Sequence, residues 1–295
     1  MIIQQFIKYL TFEKRYSPHT ILAYENDLTE FKSFLSESYE MEDLKMVEHQ
    51  HVRSWIVSLM RENKTNTTVN RKIASLKSFY KYLQIHFNSS QNPTNGVVTP
   101  KIKKRLPTFV KPSEISALLE SFVKTDDYLL IRDKMVIELL YVTGIRRSEL
   151  IELTYQNVNF QKGYIKVLGK RQKERLIPIS QNLVEKLKEY WEIRYESFNT
   201  DNMYFFLTKK GKPLYPKAIY NIVKTYLEGF TTVEQKSPHI LRHSFATHLL
   251  NNGAELNAIK ELLGHESLAA TQIYTHTTLN KLKRAYLKAH PKANN

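Results

Sequence analysis

Between Asn92 and Pro112 the chain carries Pro93, Gly96, Pro100, Pro107 and Pro112, and no helix or central strand survives that density of breakers. Proline lacks the backbone N–H and fixes φ, so the stretch runs extended. It divides the 295 residues into a piece spanning 1–92 and a piece spanning 113–295, each long enough for its own core, with 93–112 as linker. The linker contains the basic run Lys101, Ile102, Lys103, Lys104, Arg105. Two readings of that run stand equal: a solvated loop, or a segment whose Lys103 and Lys104 follow a line of phosphates.

The first piece reads as helical. Ile2, Phe6, Ile7 and Leu10 form one apolar stripe. Ser17 followed by Pro18 is an N-cap with proline at the first helical position, and Ile21, Tyr24, Leu28, Phe31 and Leu35 then recur at helical steps. A third helix carries Val52, Trp55, Ile56 and Leu59; a fourth begins near Thr67 and carries Val69, Ile73, Leu76, Tyr80 and Leu83. In the second piece Ser113 is the expected N-cap of a helix, and a more apolar helix runs from Tyr128 to Gly144. Three strands follow at 158–160, 164–168 and 175–179, turning at Gly163 and across 169–173. Helices return at 181–197, 216–227, 238–252 and 255–263, with Gly253 and Gly264 at C-cap positions. Two short helices are expected at 268–274 and 278–289. The fold class is therefore mainly α: a helical N-terminal domain, then an α+β domain with a small antiparallel sheet.

Lys plus Arg number 44 against 29 Asp plus Glu, a formal charge of +15. That excess favours a polyanionic partner, with nucleic acid first, though charge alone is weak evidence. There is no cysteine, which excludes disulfides, thiolate metal sites and a cysteine nucleophile. The first residues lack the pattern of a signal peptide and no apolar run reaches a membrane span, so a soluble cytoplasmic protein without a membrane partner is expected.

The chemistry-bearing residues lie in the second piece. His239 and Arg242 are three apart at a helix start, hence on one face and at the positive end of the helix dipole. Alone, such a pair reads as a solvent-facing pair. Three further features accompany it. Gly144-Ile145-Arg146-Arg147-Ser148-Glu149 places an arginine just past a helix stop, with an acid three residues on. Leu168-Gly169-Lys170 presents a lysine at a hairpin tip. Leu263-Gly264-His265 places a histidine after a glycine stop, and Tyr274 follows nine residues later. Singly each has an ordinary reading: Tyr274 is one of 18 tyrosines, Lys170 suits a solvated turn, and Glu149 suits a first helical turn. His243 and His248 fall off the pattern and read as packing or solvent residues.

Together these residues and intervals resemble the tyrosine recombinase family, its Xer-type subgroup in particular. The resemblance spans nearly the whole chain, taking in Ser17-Pro18-His19-Thr20, Arg105-Leu106-Pro107, and the run Leu-Arg-His-Ser-Phe-Ala-Thr-His-Leu-Leu from Leu241 to Leu250. It departs at Arg147, often a small apolar residue in the family, and at Arg171, often glycine. The resemblance implies a core-binding domain at 1–92 and a catalytic domain at 113–295. It implies that Arg146 and Arg242 grip the scissile phosphate and that Lys170 protonates the leaving oxygen. It further implies that His239 and His265 are the site histidines, that Glu149 is the supporting acid orienting its neighbours, and that Tyr274 is the nucleophile. No metal and no cofactor are implied, since one phosphoester is exchanged for another. Lys64, Arg71, Lys72, Lys77 and Lys81, in or beside the fourth helix, are expected to hold DNA. The implied partner is double-stranded DNA with a specific recombination site, bound by a tetramer on two duplexes with the last helix docking in trans. A second recombinase or a DNA translocase is a further partner of that kind. The role that the resemblance implies is resolution of chromosome or plasmid dimers, or recombination of a mobile element.

Three rivals are set beside this. A type IB topoisomerase shares the residue types but relaxes DNA as a monomer. A DNA-binding regulator explains the charge but not the six site positions. A metal nuclease using His239, His243 and His265 lacks an acid in the cluster.

Overall fold

The computed structural model describes residues 2–89, 91–102, 108–169, 174–198, 202–264, 282 and 285–292. The chain forms two compact units, Met1–Leu106 and Pro107–Asn295, dividing within the proline-rich stretch.

The apolar stripes of the first unit become α1 (Ile2–Phe12), α2 (Pro18–Tyr39), α3 (His49–Arg61) and α4 (Asn66–Phe87). Ser17 caps α2 by accepting from Thr20 N–H, and Thr65 caps α4 in the same way. The four faces close over a core in which Phe6, Phe31, Trp55, Phe79 and Leu83 are buried. After α4 the chain turns back along it. Asn66 and Asn70 donate to the carbonyls of Lys101 and Pro100 at 2.8 and 2.9 Å, and Val97 packs on the core. Side-chain amides on one helix thus supply the partners that an extended segment without a sheet lacks.

In the second unit α5 (Pro112–Glu120) starts earlier than the expected Ser113 cap. Lys111 is the cap, because proline's φ suits the first helical position and Glu114 accepts the Lys111 N–H at 2.8 Å. Helix α6 (Tyr128–Thr143) is the central element, with every residue from Met135 to Thr143 buried. It stops at Gly144, whose φ of +60° suits only glycine without strain. A Cβ there would also stand 2.5 Å from the Phe245 ring. A short helix α7 (Arg147–Ile151), not anticipated from the pattern, follows directly.

The sheet has three antiparallel strands in the order β1 (Val158–Asn159), β2 (Tyr164–Leu168), β3 (Glu174–Pro178). Its register pairs Ile165 with Ile177 and Val167 with Arg175, so these four side chains share the core-facing side. Helices α8 (Gln181–Phe198), α9 (Pro216–Glu228), α10 (Pro238–Asn251) and α11 (Leu256–Leu263) complete the unit. Of the expected C-terminal pair, 268–274 lies outside the described residues, while 285–289 is helical. Leu282, Tyr286, Ala289 and His290 are buried in their own unit. Asn252 donates to Ala289 O at 2.7 Å, and His290 stacks on Tyr286 at 5.3 Å. No helix among the described residues is long and apolar enough to cross a membrane.

Candidate active site

A helix ends with carbonyls that have no partner within it, and it carries partial negative charge there. At the end of α11 these carbonyls are taken by three arginines from three different elements. Arg175 of β3 donates Nε to Leu262 O at 2.9 Å, and Arg242 of α10 donates Nη2 to Leu263 O at 2.5 Å. Arg146, before α7, donates Nη2 to Gly264 O at 2.7 Å. Gly264 caps α11 with φ +62°, and a Cβ on it would stand 3.0 Å from Arg175 Cδ and 3.4 Å from Arg146 Nη1. Only glycine lets the backbone come this close to two guanidiniums.

One carboxylate organises the same cluster. Glu149 accepts from the Arg146 backbone N–H at 2.7 Å, which caps α7, and from Arg146 Nη1 at 2.8 Å. Arg175 meets it as a fork, Nη1 to Oε1 at 2.5 Å and Nη2 to Oε2 at 2.9 Å. Burial pushes the Glu149 carboxyl up, but hydrogen bonds and charge from Arg175, then from Arg146, outweigh it and leave the group below the ordinary carboxylate value. Arg242 completes the group by donating Nη1 to Gly144 O. Its pKa is pulled down to about 9, first by burial and then by the like charges of Arg146 and Arg175. Three guanidiniums around one carboxylate leave positive charge uncompensated, and Arg146, 23% exposed, is one route by which an anion could reach it.

His239 is exposed in the first turn of α10, one turn before Arg242. Of the residues singled out in the sequence, Arg146, Glu149 and Arg242 thus meet at one place, with His239 on the helix that supplies Arg242. Lys170, His265 and Tyr274 lie outside the described residues, as do Lys103 and Lys104. His243 is exposed, and His248 is buried with Nδ1 2.9 Å from the Tyr141 hydroxyl. Among the described residues no group of three His, Asp or Glu is placed to hold a metal.

Arg175 was missed by motif reading because it sits in a strand otherwise read only for its pattern. The signal was present: alternation along β3 puts position 175 on the same face as Ile177 and Ile179, and a charged residue on a core face needs a partner.

In the first unit Lys64, Lys77 and Lys81 are exposed, Lys64 standing 3.5 Å from Glu62. Arg71 is half-exposed and bonded to the buried Asp27. Lys72 differs: it is 5% exposed, and its ammonium meets Asp27 at 3.2 Å and Glu30 at 2.5 Å inside the domain.

Comparison with known proteins fits this division. Residues 108–281 match the phage integrase family and residues 3–85 its N-terminal SAM-like domain. The chain is 37% identical to tyrosine recombinase XerC of Chlorobaculum parvum, over 99% of this chain and 94% of that one. It is 34% identical to tyrosine recombinase XerD of Staphylococcus epidermidis, over 99% of both. The XerH site-specific recombinase bound to difH substrate in a pre-cleavage complex superposes with a TM-score of 0.69 at 25% identity, covering 96% of this chain and 82% of that one. An arginine cluster on a helix end, in a chain that matches these relatives over nearly its full length, places the protein in the phage integrase family, and its activity is site-specific tyrosine recombination.

Proposed function

We propose that recombination by this chain runs through a covalent bond between Tyr274 and a 3′ phosphate, at a site whose anion-binding part is Arg146 and Arg242. The observation that carries this reading is the clustering of both arginines, with Glu149, on the carbonyl end of α11, which His265 follows directly in sequence. In-line attack on a phosphodiester gathers charge on the non-bridging oxygens, and fixed guanidiniums stabilise it without reorganising. The Tyr274 oxygen forms the new P–O bond as the 5′ oxygen leaves. The phenol proton passes to His239, and Lys170 supplies a proton to the leaving 5′ oxygen. His265 donates a hydrogen bond to phosphate. Attack by a 5′ hydroxyl of the partner duplex reverses these steps and frees the tyrosine, so the ester bond energy is retained.

In the N-terminal unit Lys64, Arg71, Lys77 and Lys81 hold the duplex, with Lys103 and Lys104 following its backbone across the linker at 93–112. Lys72, enclosed by Asp27 and Glu30, orders that surface instead. Four copies assemble on two duplexes. The C-terminal helix, packed on its own unit in the single chain, exchanges to a neighbour in the tetramer. The products suit dimer resolution or mobile-element recombination.

The test uses a nicked suicide duplex, in which the short fragment bearing the released 5′ hydroxyl diffuses away and religation fails. Wild type should accumulate a covalent adduct, whereas Tyr274→Phe should bind the same DNA and form none. An adduct of equal yield in the variant would remove Tyr274 from the chemistry.

A further inference from the structure

Arg175 holds no position in the chemistry described above, yet it bonds to two parts of its frame, Glu149 and the end of α11. Its side chain is 4% exposed, so it does not reach a phosphate. Its fork occupies both oxygens of Glu149, and its Nε holds Leu262 O. The consequence for Arg146 follows from charge. A Glu149 carboxylate with Arg146 as its sole partner would be a full counter-ion, competing with any phosphate for that guanidinium. Shared with Arg175, the carboxylate keeps only one side-chain contact to Arg146, at Oε1, and Arg146 spends its other terminal nitrogen on Gly264 O. Resting on the active-site reading proposed above, we propose that Arg175 is a positioning residue: by neutralising Glu149 it leaves the charge of Arg146 available to the scissile phosphate.

The test compares full-length variants on two suicide duplexes, built on the sequence that the wild-type protein selects from a random pool. One carries an ordinary phosphate at the cut position and the other a methylphosphonate, whose uncharged centre asks far less of an arginine. Arg175→Gln should slow adduct formation on phosphate by about 100-fold, the loss typical of one disabled oxyanion donor. DNA affinity should change by less than about threefold, and the loss on methylphosphonate should be at most about fivefold. A purely structural defect would slow both substrates alike, and that result overturns the proposal, as does an unchanged rate on phosphate.

A second comparison holds even if the single variant folds poorly. In a Glu149→Gln background the charge to be neutralised is gone, so adding Arg175→Gln should cost less than about threefold on phosphate, and the two losses should not multiply. Multiplying losses would show that Arg175 acts independently of Glu149. If wild type forms no adduct on either duplex, the active-site reading itself fails, and this proposal with it.

Discussion

At residue scale the site is a set of donors committed before any ligand arrives, and two predictions follow from that crowding. Arg242 has its pKa pulled down to about 9 by burial and by its cationic neighbours. A phosphate between the guanidiniums favours the charged form and raises that value again. Binding near pH 9 should therefore take up a proton, and affinity should fall as the pH rises through 9. Calorimetry in two buffers of different ionisation enthalpy measures the uptake, and Arg242→Ala should abolish it. The second concerns Gly144, which combines a left-handed backbone with a Cβ direction 2.5 Å from Phe245. Gly144→Ala should cost about 2–4 kcal/mol in urea unfolding, adding backbone strain to overpacking. It should slow cleavage further, since Gly144 O holds Arg242. In the sequence Arg146 and Glu149 stand out by following the helix stop at Gly144, and Arg242 by sharing a helix start with His239, a pair that gains meaning only from the resemblance. Arg175 was not legible by motif, because its partners are far away in the chain and only its register on the sheet betrays it.

At the scale of elements, cap chemistry and apolar period located most helices, whereas α7 escaped. Five residues are too few for a period, and its only marker is the Glu149 carboxylate returning to the Arg146 N–H. The C-terminal turn at 285–289 shows what its pattern could not: a mostly apolar stripe reaching a buried polar cluster. His290 lies among Tyr286, Tyr141, Phe245 and His248, with Glu138 on the same central helix as Tyr141. Burial, then the neighbouring His248, pulls the His290 pKa down to about 3, while the unfolded chain titrates near the ordinary 6.5. The unfolded form therefore gains protons first on acidification. The neutral histidine contributes full stability above about pH 6.5 and loses it steadily toward pH 3. Acidification from pH 7 to pH 5 should cost about 2 kcal/mol from this group alone, at about 1.4 kcal/mol per pH unit. Denaturation of wild type and His290→Phe at both pH values checks this. An equal loss in the two proteins would assign the effect to other groups.

For the whole molecule, charge is distributed unevenly between surface and interior, and composition alone could not say which cations are which. Affinity for DNA should fall linearly in log K against log salt. On the DNA-binding reading proposed for Lys77 and Lys81, removing either charge should lower the slope by about 0.9. The double substitution Lys103→Ala/Lys104→Ala should lower it by about twice that, and an unchanged slope would return the linker to a solvated loop. Lys72→Met should behave differently. It removes one of two cations on the buried Asp27, which keeps Arg71 and Ser75, so the domain should lose about 1–3 kcal/mol of stability with its salt slope unchanged.

The attachment of three arginines to the last carbonyls of α11 also sets a timetable for synthesis. The N-terminal unit closes its own core once residue 106 is available, since among the described residues that core draws only on positions up to Val97. The arginine cluster has to wait for Leu262, Leu263 and Gly264. At about 5–20 residues per second the ribosome needs roughly 8–30 s to cover that interval. Throughout it the nascent chain carries a folded N-terminal unit and no assembled arginine cluster. A product truncated ahead of α11 would persist in that condition, its N-terminal unit folded and its arginines without the carbonyls that anchor them.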